Sequence, residues 1–332
     1  MKMKGLKLVL SSLVVYSAMT LSVNAADKVI IATFGEALPV QMAAHEGTLA
    51  EATGWNIDWR KFGSGTDVIA AMASGDVALA ELGSSPFAIG ATQGVDIEAF
   101  MLDFVIGESE SLIVRNGAGI ESLADLKGKR VATPLGSTAH FSLMGALNHA
   151  GVAENELTIM GMSPDQITAA WQQEAIDAAF VWPPAQTEIL KTGKRLVGAD
   201  KVAEWGYPTF NVWVVNKEFA AANKDSLVAF MKAVDAANLD YLENMEAWTA
   251  DSPQVKAIAA QTGATPETVV VSLKGYKFLP LTEQLKPTWM GGGIAKAVKD
   301  TAAFLKSAGR IDQAADDYSN SVNIEYLKAA IK

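Results

Sequence analysis

The sequence predicts an α/β protein of two lobes, one assembled from both ends of the chain and one from its middle. Short β-branched runs alternate with alanine-rich helical stretches, which is the pattern of an α/β class. Two β-rich segments, ESLIVRN (110–116) and NVWVVNK (211–217), read as crossings between lobes, with a self-contained α/β set between them. A loose internal parallel supports two similar halves. IAAMASGDVALAELGSSP (69–86) and ITAAWQQEAIDAAFVWPP (167–184) share one plan: alanine-rich helix, acidic turn, strand, then a Ser- or Pro-rich corner.

The elements follow in order. KVIIATFG (28–35) is a first strand ending at glycine, and residues 39–53 carry helical spacing up to Gly54. NIDWRKF (56–62) alternates as a second strand. Thr66 and Asp67 are positioned to cap a helix through VIAAMAS, and DVALAEL (76–82) is a third strand that runs into GSSP. The middle set holds strand 129–134, helix 136–151, strand 157–162, helix 164–173 and strand 176–182. After Lys217 the spacing is helical over 218–247, 251–262, 266–275, 294–308 and 322–331. The organisation is therefore a signal peptide at 1–25, a discontinuous first lobe at 26–110 and 216–332, and a second lobe at 111–215 that includes the crossover strands.

The N-terminus predicts export. Lys2, Lys4 and Lys7 precede an apolar stretch from Leu8 to Leu21, and small residues at Val23-Asn24-Ala25 supply an A-x-A-like cleavage site. Ser11, Ser12 and Ser17 interrupt that stretch, which is short for a membrane span. Cleavage removes three lysines from a chain already at −10. So acidic a surface argues against nucleic acid or an anionic membrane as partner. A small anion is not excluded, because a closed site is governed by local dipoles. The chain has no cysteine, so thiol nucleophiles, zinc–thiolate sites, iron–sulfur clusters and an N-terminal lipidated cysteine are excluded. Three histidines (His45, His140, His149) are too few for a histidine-rich metal site, and no cofactor is expected. His149, close to Gly151, fits a helix C-terminus.

Ligands in α/β sheets collect beyond the carboxyl ends of strands, and three corners qualify. At GSSP (83–86), Pro86 suits a first helical position, Ser85 its N-cap, and Ser84 offers a free hydroxyl. At GSTAHFSLMGAL (136–147), Ser137, Thr138 and His140 surround a helix start whose open N–H groups and dipole favour an anion. Ser137 and His140 also have the spacing of a nucleophile and its base. However, there is no G-x-S-x-G elbow and no local carboxylate to orient the histidine. At FVWPP (180–184), Trp182 ends a strand and offers an apolar wall, an N–H and a π face.

Several stretches together carry a family resemblance: ATGWNIDWRKF, ASGDVALAELGSSP, LKGKRVATPLGSTAHFSLMGAL, AAWQQEAIDAAFVWPPA, EWGYPTFNVWVV and DTAAFLKSAGRI. In this order and spacing the chain resembles the aliphatic-sulfonate and taurine group of periplasmic binding proteins, over almost its whole length. The resemblance implies a two-lobed, type II periplasmic-binding-protein fold, each lobe a mixed sheet flanked by helices, the two joined by two crossover strands. It implies a monomer that closes on a small sulfonate and docks on a permease–ATPase complex. The physical chemistry agrees, since a sulfonate's three weakly basic oxygens suit neutral donors such as Ser84, Ser85, Ser137, Thr138 and His140.

One position departs from that pattern. The taurine type has an aspartate before V-W-V-V to hold the ligand's ammonium, and this chain has Asn211. An amide accepts from an ammonium without neutralising it, and also suits a hydroxyl. The early loop FGEALP (34–39), with Phe34 and Glu36, and Glu110 in GESESL are the candidates to replace the lost charge. Taurine is the leading ligand, and isethionate or an alkanesulfonate the alternative. A pyrimidine-precursor binding or synthesis relative of the same fold, or a ligand-presenting partner of a chemoreceptor, remain different classes of function.

Overall fold

The computed structural model describes residues 28–332. The predicted signal peptide lies outside them. The first lobe opens with β1 (Lys28–Thr33), β2 (Asn56–Lys61), β3 (Leu79–Gly83) and β4 (Ile97–Ile106). The second holds β5 (Ser111–Arg115), β6 (Arg130–Thr133), β7 (Thr158–Gly161), β8 (Ala178–Val181) and β9 (Gly193–Gly198). The chain then returns through β10 (Phe210–Asn216) and later adds the short β11 (Tyr276–Lys277). The six-stranded sheet runs β11-β4-β10-β3-β1-β2 and the five-stranded sheet β7-β6-β8-β5-β9. Both are mixed: β1 pairs in parallel with β2 and β3, and β6 with β7 and β8, while β10 and β5 insert antiparallel.

The lobe boundary is corrected on the return. The sequence reading placed residues up to 215 in the second lobe, but β10 hydrogen-bonds between β3 and β4 in the first sheet. Its near-continuous apolar run FNVWVVN suits a strand buried on both faces at the sheet centre. The connections between sheets are therefore the short segment 107–110 and the longer 199–209.

Most predicted elements form, with local changes. Residues 39–53 split into helices Pro39–His45 and Thr48–Thr53, because Gly47 turns the chain at φ 76°. Ser64, rather than Thr66, caps the helix Gly65–Ala73, its hydroxyl accepting from Asp67 N–H at 3.2 Å. In GSSP the helix Ser84–Thr92 starts two residues earlier than expected, with Gly83 as N-cap, so Pro86 falls inside its first turn.

Trp213 lies at the centre of the first lobe. It is fully buried, packs edge-on against Phe230 and Trp59 with ring centroids 4.9 and 6.4 Å apart, and donates its indole N–H to Asp103 at 2.9 Å. The helix Gly293–Ser307 ties the lobes together outside the connections. It packs along the helix Ser84–Thr92, while Phe304 packs edge-on against Phe141 and Tyr207 at 5.0 and 5.3 Å. Arg310 just beyond it pairs with Glu154.

Candidate functional site

Topology brings one end of each sheet to the same place. The parallel β1 and β3 finish at Thr33 and Gly83, and antiparallel β10 begins there with Phe210 and Asn211. From the second lobe, β6 and β8 finish at Thr133 and Val181, facing back. Between these ends lies a cavity lined by Phe34, Glu36, Gly65, Gly83, Pro86, Glu110, Ser137, Thr138, Trp182 and Asn211. Its volume is about 20 Å³, room for about one water molecule. The lobes are shut, and anything larger enters only when they part.

Seven of the ten expected site residues line this cavity: Phe34, Glu36, Glu110, Ser137, Thr138, Trp182 and Asn211. The other three are close by: the Ser85 hydroxyl is engaged, Ser84 is set back, and His140 keeps its buried Nε2 without a partner. The Ser85 hydroxyl donates across the lobes to the Gly136 carbonyl at 3.1 Å. His140 accepts the Gly136 N–H on Nδ1 at 3.1 Å, and burial pushes its imidazole down to about 4, so the ring stays neutral at ordinary pH. Ser84 is fully buried with its hydroxyl unpartnered, behind the lining. Gly65, Gly83 and Pro86 line the cavity without being expected site residues; the missing side chain of Gly83 lets Thr138 of the second lobe approach, while that of Gly65 lets Pro86 pack close within the first.

The helix mouth at 136–140 is a cap, not a nucleophile. Ser137 Oγ accepts from His140 N–H at 3.1 Å and donates to Pro134 O at 2.6 Å, so no Ser–His pair forms. Gly136, at φ 78°, makes the turn into the helix. With His140 N–H taken, the first-turn N–H groups of Thr138 and Ala139 are without an intrahelical partner and mark the anion-favouring end. Ser137→Ala should cost about 1 kcal/mol of stability, the usual worth of an N-cap. A denaturant midpoint lowered without a change of slope would show it.

The opposite character dominates elsewhere in the site. Glu36 and Glu110 are buried, each with one carboxyl oxygen lacking a hydrogen-bond partner, while the other oxygen of Glu110 accepts from Thr138 Oγ1. Glu81 and Asp103 lie behind them. Glu81 accepts from Thr33 Oγ1 at 2.8 Å, from Gln41 at 3.4 Å and from the Phe34 backbone, which fixes the loop carrying Phe34 and Glu36. Burial is the main cause that raises all four carboxyls. It pushes Glu110 up to about 8 and Asp103 to about 7, and neighbouring acids add to the rise of Glu36 and Glu81. Phe34 and Trp182 close the apolar side from opposite lobes, edge-on at 6.2 Å.

A sign follows for stability. A carboxyl raised in the folded state binds its proton more tightly there than in the unfolded chain, so stability falls as pH rises between the two values. The ligand-free protein should melt several degrees higher at pH 5.5 than at pH 8. Thermal unfolding in sulfonate-free buffers checks this, and an unchanged or rising melting temperature would contradict it.

The comparisons fit this geometry. Residues 37–247 match the family described as NMT1/THI5 like. The periplasmic taurine-binding protein of Escherichia coli K12 is 39% identical over 303 residues, covering 91% of this chain and 93% of that one. Among solved structures, the alkanesulfonate-binding protein SsuA of Xanthomonas axonopodis pv. citri, bound to MOPS, superposes with a TM-score of 0.71. The two share 21% identity, over 86% of this chain and 94% of that one. The desulfurization enzyme DszB shares the fold at a TM-score of 0.65 and 14% identity, over 92% and 99% of the two chains.

Proposed function

This chain belongs to the NMT1/THI5-like family, and on that premise we propose that it is the solute-capturing component of an ABC importer for a small aliphatic sulfonate, taurine first. It works in the periplasm after export, presenting the closed, loaded form to an inner-membrane permease and its ATPase. The observation that carries the reading is the cavity between two shut lobes, with anion-favouring and cation-favouring ends. At one end sit the open N–H groups of Thr138 and Ala139 at the helix mouth, the hydroxyls of Ser137 and Thr138 being donated to Pro134 O and Glu110. At the other, Glu36 Oε2 and Glu110 Oε2 lack partners, and Asn211 supplies a neutral acceptor. These three acceptors match the three N–H donors of a primary ammonium. Phe34 and Trp182 enclose the short carbon chain between.

No hydrolytic role is proposed, because Ser137 and His140 are each committed to the Gly136 turn and helix cap. Asn211 favours one second reading within the class, a hydroxyl-ended sulfonate such as isethionate. Calorimetric titration of ligand-stripped protein at pH 8 with taurine, isethionate and ethanesulfonate separates the readings. Taurine should bind at least tenfold tighter, ~1.4 kcal/mol. Tightest binding of isethionate or ethanesulfonate would move the assignment to non-amino sulfonates. No heat with any of the three would remove the sulfonate reading.

A further inference from the structure

Four carboxyls meet around one small cavity, and among the described residues none takes part in an ion pair. They arrive from separate elements: Glu36 from the loop after β1, Glu81 from β3, Asp103 from β4 and Glu110 from the first connection. Tyr276 of β11 is the further titratable group among them, and its unpartnered phenol is raised by burial and then by all four acids. From the second lobe, the first turn of the helix Thr138–Ala150 brings only the neutral His140. Lys61, whose stem packs beside Gly35, is turned to Asp165 across the rim at 3.8 Å. β10 contributes Asn211, an amide with no charge.

Such a cluster cannot be shut away fully ionised. A buried carboxylate without a counter-ion carries a desolvation cost of several kcal/mol, and neighbouring carboxylates raise it further. What the ligand brings therefore decides how many protons the closed site holds. An ammonium supplies one positive charge and lets one carboxyl of the Glu36–Glu110 pair remain ionised. A hydroxyl or methyl end supplies none, so that carboxyl must take up a proton; its O–H then donates to a hydroxyl-ended ligand.

We propose that the protonation state of this acid cluster is the specificity determinant: the cleft shut on an ammonium-ended sulfonate holds one proton fewer than the cleft shut on a neutral-ended one. The proton balance is explicit. Exchanging the neutral-ended ligand for the ammonium-ended one converts one carboxylic acid to a carboxylate and passes its proton to buffer. Preference for the amino ligand then rises with pH and fades in acid. This rests on the sulfonate reading above. Because it concerns a difference between two complexes, it holds whatever the protonation of the open, empty protein.

The test is calorimetric titration of the ligand-stripped protein with taurine and with isethionate between pH 5.5 and 8. Cacodylate and imidazole serve as buffers, being sulfonate-free and different in ionisation heat. The taurine-to-isethionate affinity ratio should climb by up to tenfold per pH unit. Proton counts from the two buffers should differ by about one between the ligands. A ratio constant within about threefold while both ligands bind would overturn the proposal, as would isethionate failing to bind at pH 5.5 where taurine does. Binding of neither ligand at any pH would instead sink the sulfonate reading, and this inference with it.

Discussion

Replacing Glu36 and Glu110 together by glutamine abolishes measurable taurine binding at pH 8, while ethanesulfonate affinity changes by less than about threefold, since it makes no charged contact there. Each glutamine keeps the shape of the side chain, and with both in place neither side chain can ionise opposite the ammonium. Removing one partner of a buried charged pair costs about 2–5 kcal/mol, because the remaining charge is stranded in the closed site. A single substitution should weaken taurine binding less than the double one, because the remaining carboxyl of the pair can carry the charge. The same changes remove desolvated acids from the empty protein, so the variants should lose part of the acid-side gain in melting temperature. Parallel titrations with both ligands and melts at pH 5.5 and 8 check the pair of effects. Equal loss of both ligands would mean that the carboxyls shape the cavity rather than hold a cation.

Gly83→Val should block closure while leaving the fold intact. Gly83 has ordinary extended backbone angles, φ −66° and ψ 154°, so valine adds no backbone strain. A Cβ there would stand 2.7 Å from Thr138 Cγ2 on the opposing lobe and 3.4 Å from Asn211 Oδ1. Thr138 cannot give way cheaply, because its χ1 is stiff and its hydroxyl is bonded to Glu110. Overpacking of this kind costs about 1–3 kcal/mol, and the cost falls on the approach of the lobes. Affinity should drop by about ten- to a hundredfold. Small-angle scattering should show no compaction on adding taurine. Full affinity in this variant would show that the ligand does not need the cleft shut.

Much of this architecture was legible in local patterns. The strand-to-helix corners at 83–86 and 136–140 carry their turn and cap residues in sequence, and Trp182 ends its strand beside two prolines. Seven of the ten nominated residues line one cavity, because loops beyond strand ends converge when sheets face each other. Other features were hidden for physical reasons. β4, IEAFMLDFVI, is buried along nearly its whole length, so it shows no alternation, and its place against β10 depends on distant pairing. Ser85 has the composition of a ligand donor, and only the three-dimensional position of Gly136 shows its hydroxyl spent there, while His140 takes the Gly136 N–H on Nδ1 and keeps its buried Nε2 unpartnered. Glu81 lies within an otherwise apolar strand, and Asp103 shares the largely apolar β4 with Glu98. A single buried acid in a strand is a weak signal, and their grouping with Glu36 and Glu110 emerges only when β3, β4 and the first connection come together. The reach of the Gly293–Ser307 helix onto the second lobe likewise has no local mark.

The most direct test is a crystal structure of the protein grown with taurine. The expected result is the ligand between the closed lobes, its nitrogen within hydrogen-bond distance of Glu36, Glu110 and Asn211. Its sulfonate should lie at the helix mouth formed by Ser137, Thr138 and Ala139. Taurine bound in the reverse orientation, or only outside this cavity, would contradict the assignment of the two ends.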